Sequence, residues 1–426
     1  MKNVRTSSAK IIQTIIENKV FFADLKKQVG EKDLSFVNML VLTTLRNWQN
    51  LENELTKYLN KKIPNKHRFC KYLVLTAMAE LIFMNTPSHI VINETVKNVK
   101  NCCDKFLGGM ANAILRRILQ NKEFIYTDIT NNPLIPQNFQ DILEGYSDDE
   151  VSKIKKSINM LPPLNISVKN DNLQWKDKLK ADIYPNGTLS LKNAKKVQDL
   201  SDYNNGSWWI QDVAASLPVQ IMGDIKGLEV IDLCAAPGGK TAQLLNANAN
   251  VTALDISEVR LDILKQNMKR LGFENIKTQV CDAVDFMNSS DKKFDAILLD
   301  APCSATGTFR RHPEVLYIKG KDDVKTMRDL QKQLLSLCRN ILKIGGTLVY
   351  SVCSIAKDEG EYQISEFLKN NPDFKLIPIS IEEIQKFSVW NDNIITTEGT
   401  IRTLPFYEEN LGGLDSFFIC KMQRII

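Results

Sequence analysis

Residues 232–241 read DLCAAPGGKT and directly continue a short apolar run, Glu229–Cys234, that is typical of a buried strand. Glycines placed after such a strand let a ligand approach the backbone at the start of the next helix. The stretch is neither the G-x-x-x-x-G-K-[ST] pattern of triphosphate sites nor the G-x-G-x-x-G pattern of dinucleotide sites. It therefore predicts a nucleotide-like ligand that is neither a triphosphate nor a dinucleotide.

The same alternation of strand and helix continues from this stretch to the carboxyl terminus. Helical spacing is clearest in Glu258–Leu271 and Asp323–Leu342, and short β-rich runs lie between such helical segments. This order predicts an α/β doubly wound, Rossmann-like domain with a parallel sheet. Two late strands, Thr400–Leu404 and Ser416–Met422, are expected as an antiparallel hairpin on the sheet edge. The other predicted strands are Glu229–Cys234, Val251–Ile256, Lys277–Cys281, Phe294–Asp300 and Thr347–Cys353.

The amino-terminal part of the chain has a different pattern. Apolar residues recur at helical spacing from residue 8 to about residue 120, which predicts an all-α bundle of five or more helices. Short β-like runs, Leu164–Val168 and Thr188–Leu191, predict a small α+β subdomain that links the two larger parts. The chain is therefore expected to be multidomain, with domains at residues 1–127, 128–205 and 206–426.

Composition bounds the class of protein. The 426 residues are 43% hydrophobic and 25% charged, as in ordinary globular proteins, and the net charge is +5. Residues 1–125 hold 20 Lys and Arg against 10 Asp and Glu, a net charge of +10, so the remaining residues carry −5. Basicity is thus a property of the helical part, where Arg116 and Arg117 are candidates for RNA phosphate binding or for a solvated helix face.

Cysteine usage and hydropathy indicate the compartment. The nine cysteines include no C-x-x-C pair, which disfavours a disulfide scaffold and a zinc site, so no metal is expected. The amino terminus lacks the pattern of a secretory signal, and the most apolar run, Leu73–Met84, is short and contains Glu80. A reduced, cytoplasmic protein without a membrane segment is predicted.

Acidic residues stand where successive predicted strands end, at Asp232, Asp255, Asp282 and Asp300. Because the carboxyl ends of parallel strands meet at one edge of the sheet, these side chains are expected around one ligand crevice. An acid about twenty residues after the first turn is the usual partner of ribose hydroxyls. Each acid taken alone is as well explained as a helix cap or surface residue.

Two cysteines, Cys303 and Cys353, follow the ends of strands that are predicted to be neighbours. Both thiols are therefore expected to face the crevice, where a nearby cation or helix terminus could activate one of them as a nucleophile. Arg310, Arg311 and His312 are candidates for such a field or for holding substrate phosphates. Packing is the alternative role for either thiol.

These motifs resemble a known family. DLCAAPGGKT, DAPCSATGTFRRHPE at residues 300–314 and YSVCS at 350–354 are similar to the RNA cytosine-C5 methyltransferases that use S-adenosylmethionine. NETVKNVK at residues 93–100 and NAILRRIL at 112–119 resemble the NusB-like RNA-binding domain. Together they resemble the RsmB (Sun/Fmu) type of 16S ribosomal RNA cytosine-C5 methyltransferase. One departure is Ala305, which stands where that family usually has glycine.

The resemblance implies a role for each site residue. Cys353 would be the nucleophile that forms a covalent adduct with carbon 6 of cytosine, and Cys303 would assist product release. Asp300 would contact the base or the methionine moiety and would be the acid that stabilises charge entering the ring. Asp255 would hold the ribose and Asp282 would lie near the adenine. The cofactor loop would consist of Cys234, Ala235, Ala236, Pro237, Gly238, Gly239 and Lys240.

Two other interpretations remain open at this point. The first keeps the chemistry but takes transfer RNA as substrate, and the NusB-like region favours 16S ribosomal RNA only by analogy. The second is a non-catalytic RNA-binding or ribosome assembly factor. Retention of Asp300, Cys303 and Cys353 together favours an enzyme. A monomer that binds ribosomal RNA and no membrane is predicted.

Overall fold

The structure is a computed structural model that describes residues 3–59, 61–192, 197–274 and 276–426. The chain divides into two compact units. The first unit holds Met1–Asp141, Tyr146–Asn159 and Phe309–Gly320, and the second holds Ile142–Gly145, Met160–Thr308 and Lys321–Ile426. The division into three domains at residues 127 and 205 stays a prediction.

The helices alternate with strands only after residue 160. They are α1 (Val4–Asn18), α2 (Phe22–Leu25), α3 (Glu31–Thr56), α4 (Arg68–Phe83), α5 (Ser88–Cys102), α6 (Lys105–Gln120), α7 (Lys122–Asn131), α8 (Gln137–Gln140), α9 (Asp148–Ser157), α10 (Asn172–Leu179), α11 (Val213–Gln220), α12 (Gly239–Asn246), α13 (Glu258–Arg270), α14 (Ala283–Ser289), α15 (Val315–Ile318), α16 (Lys321–Leu337), α17 (Glu361–Asn370) and α18 (Ile381–Ile384).

The strands all lie in the second unit. They are β1 (Leu164–Val168), β2 (Asp182–Ile183), β3 (Leu189–Leu191), β4 (Trp208–Ile210), β5 (Glu229–Leu233), β6 (Asn250–Asp255), β7 (Lys277–Val280), β8 (Phe294–Asp300), β9 (Leu342–Val352), β10 (Phe374–Leu376), β11 (Ile401–Arg402) and β12 (Phe418–Arg424).

The first unit is the helical bundle that the amino-terminal periodicity predicts. Helix α4 is its central helix, and twelve of its residues from Cys70 to Ile82 are buried. Its one buried acid, Glu80, is fully buried and accepts two hydrogen bonds from Arg5, at 2.8 Å from Nε and 2.7 Å from Nη2. Pairing of this kind is what permits a carboxylate inside an apolar bundle. In the part of the chain that the structure describes, no helix is long and apolar enough to cross a membrane.

The first unit also contains a segment from far along the chain, Phe309–Gly320. The Tyr317 hydroxyl donates to the Leu45 carbonyl at 2.8 Å, and the Phe309 ring packs edge-on against Phe139 with centroids 5.6 Å apart. Arg46 Nη2 donates to the Arg310 carbonyl at 2.8 Å. The segment is therefore part of the interior of the helical unit.

The large sheet of the second unit has the strand order β10-β12-β9-β8-β5-β6-β7, with β11 paired to β12. Strands β5 to β9 are parallel neighbours in this order, which confirms the predicted doubly wound fold. The order reverses between β5 and β8, and ligands of such sheets bind at the carboxyl ends of the strands where the order reverses. Helix α13 shows why the elements form: Ser257 caps its first turn, and its buried leucines and methionine pack toward the sheet.

The carboxyl-terminal strands differ from the prediction in one respect. Strand β12 is antiparallel, as expected, and pairs with β11. It does not lie on the edge, because it also pairs with β9 on one side and β10 on the other. The sequence analysis did not identify β10, which is only three residues long and too short to show a period.

A second, smaller sheet has the order β2-β3-β1-β4 and consists of antiparallel pairs. With α10 it forms the predicted small α+β subdomain. Two of its buried tryptophans are consecutive: Trp208 packs within this subdomain, and Trp209 packs against α13 of the large sheet. Strand β4, the last strand before the large sheet, thus joins the small subdomain to the large sheet through Trp209.

Candidate active site

The cofactor loop lies between β5 and α12, at the point where the strand order reverses. Helix α12 begins at Gly239, and its capping residue Gly238 has a φ of +102°, a conformation that favours glycine. A side-chain carbon at Gly238 would also come within 2.9 Å of Leu264 on α13. The loop therefore needs a glycine here to turn from the strand into the helix.

A cavity of about 350 Å³ lies against this loop. Its lining combines the predicted loop with Trp209 and Gln211, which lie outside the motifs. The lining residues include Trp209, Gln211, Asp232, Ala235, Ala236, Pro237, Gly238, Gly239, Lys240 and Asp300. Cys234, the remaining predicted loop residue, directly precedes Ala235, and burial raises the pKa of its thiol to about 12. The cofactor-binding role of Cys234 stays a prediction.

Asp232 is a fully buried acid in the lining of this cavity. Its Oδ2 accepts a hydrogen bond from Thr241 Oγ1 at 2.6 Å, whereas Oδ1 has no partner among the described residues. Burial raises the pKa of Asp232 to about 7. A carboxylate left unpaired in an apolar strand is costly, so this atom is suited to a cationic or hydrogen-bonding ligand.

Asp255 and Asp282 lie at the ends of β6 and β7, as predicted, but their carboxylates already have backbone partners. Asp255 is 2% exposed and accepts from the Ala236 N–H at 3.1 Å and the Ser257 N–H at 2.9 Å. Asp282 caps α14 and accepts from the Val284 N–H at 2.7 Å. Asp255 thereby holds the cofactor loop in place. The ribose and adenine roles of these two acids stay predictions.

Asp300 ends β8 and is held from two sides. Its Oδ2 forms an ion pair with Lys240 Nζ at 2.8 Å, and its Oδ1 accepts from Ser351 Oγ at 2.8 Å. Burial lowers the pKa of Lys240, but the charge and hydrogen bond of Asp300 outweigh it and raise the pKa overall. Because Ser351 is the register partner of Asp300 on β9, sheet pairing itself positions this acid.

The two predicted cysteines are in contact. Cys303 Sγ and Cys353 Sγ lie 3.3 Å apart, each just past the end of one of the neighbouring strands β8 and β9. Both thiols are free and partly exposed. The contact with Cys353 and burial raise the pKa of Cys303 well above its ordinary value. Cys303 therefore keeps its proton at neutral pH, which suits a proton donor better than an attacking thiolate.

Arg310 is a buried cation of the first unit. It is fully buried there, together with Glu314. The roles that the sequence suggested for Arg310, Arg311 and His312 stay predictions. His312 is exposed and lies 3.7 Å from Glu314.

The structure identifies functional candidates that the motifs did not. Asp232 was noted only as one of several strand-end acids, although a charged residue inside the apolar strand EVIDL was a usable signal. Trp209 and Gln211 reach the cavity from β4 and the following loop, far from the motif in sequence. All nine cysteines are free, and no cluster of His, Cys, Asp or Glu in the described ranges could hold a metal ion.

Gly307 fixes the loop that follows Cys303. Its N–H donates to the Cys353 carbonyl at 3.0 Å, and its own carbonyl accepts from the Ser416 N–H at 3.0 Å. A side-chain carbon at this position would overlap the Ser416 carbonyl oxygen and lie 2.9 Å from its carbonyl carbon. Both obstacles are backbone atoms, so they cannot move aside cheaply. Ala305, two residues earlier, has a φ of +57°, which explains why glycine is usual there in the similar family.

Gly307→Ala is therefore expected to lower the free energy of unfolding by about 2–3 kcal/mol, because the loop must move away from Ser416. Urea unfolding followed by circular dichroism measures the change. Gly109→Ala is the matched control, since no atom lies within 4 Å of the added carbon and alanine favours the helix. A Gly307→Ala protein as stable as the Gly109→Ala protein would contradict the predicted overlap.

Comparisons with known proteins agree with this site. Residues 222–423 match the family described as 16S rRNA methyltransferase RsmB/F, and residues 2–120 match the NusB family. The ribosomal RNA small subunit methyltransferase B of Citrobacter koseri is 30% identical over 395 residues, covering 88% of this chain and 92% of that protein. The protein of that name from Proteus mirabilis is 29% identical over 391 residues, with 87% and 92% covered.

Solved structures share the fold. The crystal structure of PH0851 has a TM-score of 0.75 at 22% identity and covers 99% of each chain. A methyltransferase homologue from Pyrococcus horikoshii has a TM-score of 0.54 at 24% identity, covering 68% of this chain and all of its own. Because nearly the whole chain aligns with named ribosomal RNA methyltransferases, the chain belongs to the RsmB/F family of RNA methyltransferases, with a NusB-family domain at its amino terminus.

Proposed function

We propose that this RNA methyltransferase transfers a methyl group from S-adenosylmethionine to carbon 5 of one cytosine in 16S ribosomal RNA, through a covalent adduct of Cys353. The observation that carries the proposal is the pair of thiols, Cys303 and Cys353, 3.3 Å apart beside Asp300. Methylation of an exocyclic amino group needs no cysteine nucleophile, whereas carbon 5 of cytosine must first be activated by addition at carbon 6. The paired thiols therefore favour carbon 5.

The residues of the cavity fit S-adenosylmethionine. This molecule is a nucleoside that carries a sulfonium and an ammonium cation, and the cavity is lined by the carboxylates of Asp232 and Asp300. The unpartnered Oδ1 of Asp232 offers a buried acceptor for one of these cations. Gly238 and Gly239 leave the backbone accessible at the start of α12. Bound here, the cofactor would supply an electrophilic methyl group.

The residues of the chain divide the remaining work. The Cys353 thiolate adds to carbon 6, and the electron pair displaced into the ring makes carbon 5 nucleophilic. Asp300 contacts the base near N3 and stabilises the negative charge that enters the ring, together with the Lys240 ammonium 2.8 Å from its carboxylate. After methyl transfer, the carbon-5 proton passes to a water molecule acting as base, the electron pair of that bond re-forms the double bond between carbons 5 and 6, and the Cys353 thiolate leaves. The protonated Cys303 beside this sulfur assists the release by donating a hydrogen bond to the thiolate.

RNA is expected to bind in part through the first unit. Its helices α5 and α6 carry five exposed Lys and Arg side chains, those of Lys97, Lys100, Lys105, Arg116 and Arg117. Positive side chains release counterions from the phosphate backbone, which gives affinity without base specificity. The target base must be unpaired or flipped out to reach the thiols, which costs less in a loop than in a duplex. The monomeric state and the cytoplasmic location stay predictions.

Bisulfite sequencing of RNA from cells with and without the protein tests the proposed substrate. We expect one cytosine of 16S ribosomal RNA to lose its protection from bisulfite when the protein is absent, and to regain it on complementation. Protection lost only in transfer RNA would overturn the ribosomal substrate while keeping the chemistry. Unchanged protection in both RNAs, with methyl transfer to another atom in vitro, would overturn the assignment to carbon 5.

Asp232 predicts a pH dependence of cofactor affinity. Its pKa of about 7 means that the carboxylate is mostly protonated at pH 6 and mostly ionised at pH 8. Because a cation binds the ionised form, affinity for S-adenosylmethionine is expected to fall by up to about tenfold from pH 8 to pH 6. Calorimetric titration across this range measures it.

Asp232→Asn is expected to remove this component of the pH dependence. Thr241→Val is the comparison variant: it keeps the carboxylate but removes a hydrogen bond that lowers the Asp232 pKa, so the pH dependence is expected to persist with its midpoint shifted to higher pH. Equal pH profiles for wild-type protein and Asp232→Asn would exclude Asp232 as the titrating group.

A further inference from the structure

A second buried carboxylate, that of Glu359, is in contact with the loops that carry Cys303 and Cys353. Glu359 lies outside the motifs at residues 232–241, 300–314 and 350–354. It ends the short helical turn Lys357–Glu359 that follows β9, and it is fully buried. It is not among the residues that line the cofactor cavity. Burial of an acid in this way needs several hydrogen bonds to be tolerated.

Each oxygen of Glu359 accepts two hydrogen bonds. Oε1 accepts from the Ser304 N–H at 2.9 Å and from Gln331 Nε2 at 2.9 Å. Oε2 accepts from the hydroxyls of Ser304 and Ser354. Ser304 directly follows Cys303, and Ser354 directly follows Cys353. One carboxylate thus joins the two loops that carry the thiols.

Neighbouring groups complete the same network. Thr306 Oγ1 lies 2.9 Å from Ser304 Oγ and 3.0 Å from Ser354 Oγ. Gln331, on α16, also donates to the carbonyl of Pro302 at 2.8 Å. The residues on both sides of Cys303 are therefore tied to the carboxylate, directly or through Gln331.

The chemistry of this network requires a carboxylate. An ionised Glu offers two acceptor oxygens and no donor, which matches four donors around it. A glutamine at the same position offers one acceptor oxygen, and its NH₂ group would face two of the donors. Burial raises the pKa of Glu359, and its hydrogen-bond donors oppose that effect.

We propose that Glu359 is a positioning residue that sets the separation of the Cys303 and Cys353 sulfur atoms by holding Ser304 and Ser354 on one carboxylate. The consequence for catalysis rests on the proposed function: Cys303 can act on the adduct only while its sulfur stays beside that of Cys353. The geometric part, the distance between two thiols, stands independently of any substrate.

The first experiment tests the proximity of the two thiols in the absence of RNA, through the equilibrium constant for their disulfide. In a glutathione redox buffer, the two thiols of the full-length protein form a disulfide as glutathione disulfide is reduced to two glutathione molecules, and mass spectrometry gives the oxidised fraction. We expect Glu359→Gln to lower the equilibrium constant for this disulfide at least tenfold. The matched control is Glu408→Gln, a buried carboxylate that binds Asn391 and is not hydrogen-bonded to either cysteine loop. An unchanged constant for Glu359→Gln would overturn the inference.

The second experiment measures turnover on ribosomal RNA. We expect Glu359→Gln to lower kcat at least tenfold, with KM for RNA and affinity for S-adenosylmethionine within twofold, because the network does not reach the cofactor cavity. Equal losses of kcat in Glu359→Gln and Glu408→Gln would indicate a structural role only and overturn the inference. If Glu359→Gln does not fold, Gln331→Met removes one donor while keeping the carboxylate, and changes in the same direction are expected.

The two experiments separate the inference from the proposed function. If the wild-type protein methylates another atom, the proposed function is wrong and the disulfide measurement still tests Glu359. If cytosine methylation is found and neither measurement responds to Glu359→Gln or Gln331→Met, only the positioning role is wrong.

Discussion

Cys353→Ala is expected to abolish methyl transfer, with a loss of at least about 1,000-fold in rate, because in the proposed mechanism the Cys353 thiolate forms the bond to carbon 6. The thiol lies at the end of β9, partly exposed and 3.3 Å from Cys303. Transfer of tritiated methyl groups to 16S ribosomal RNA measures the rate. RNA containing 5-fluorocytosine, which traps the adduct, is expected to form a stable complex with the wild type and none with the variant.

Cys102→Ala is the matched control for this prediction. Cys102 is an exposed free cysteine of the first unit and is part of neither the cofactor-cavity lining nor the Cys303–Cys353 pair, so Cys102→Ala shows the effect of removing a cysteine as such. We expect the control to retain wild-type rates. A Cys353→Ala protein that retained both the trapped complex and methylation would show that the nucleophile is another residue.

Cys303→Ala is expected to separate attack from release. The variant keeps the Cys353 nucleophile, so the adduct should form, but it lacks the protonated thiol beside the sulfur that must leave. Loss of an acid–base group of this kind typically costs about 100-fold or more in turnover. We expect about one methyl group transferred per enzyme, followed by accumulation of a covalent complex with ordinary, unfluorinated RNA.

Denaturing gel electrophoresis detects that complex. The double variant with Cys303→Ala and Cys353→Ala is the control, because it should form no complex if Cys353 is the attacking residue. Normal multiple turnover by Cys303→Ala would show that product release does not depend on this thiol.

The sequence predicted the parts of the site that depend on local pattern. Strand ends are marked by an acid and a turn: Asp255 and Asp300 are the last residues of β6 and β8, as predicted, and Asp282 lies two residues after β7. Neighbouring parallel strands bring their carboxyl ends together, which is why the contact between Cys303 and Cys353 was foreseeable. The helical, α+β and doubly wound parts of the fold were likewise confirmed.

The remaining features depend on contacts between distant parts of the chain. The burial of Asp232 follows from the strands on both sides of β5, and the hydrogen bonds of Glu359 come from Ser304 and Gln331, both far from it in sequence. Arg310 follows shortly after Cys303 in sequence, yet it belongs to the first unit, whereas Cys303 belongs to the second. A local pattern carries no signal for such changes of unit.

The inserted segment Phe309–Gly320 means that the helical unit is not encoded by one continuous stretch of the gene. A fragment that ended near residue 160 would lack the tyrosine that binds the Leu45 carbonyl and the ring that packs on Phe139. Conversely, a fragment that began there would carry an orphaned segment with exposed apolar side chains. The helical domain therefore cannot be exchanged as one continuous piece of sequence. A helical domain taken from a relative would also need that relative's copy of this segment, inserted into the methyltransferase sequence of the recipient.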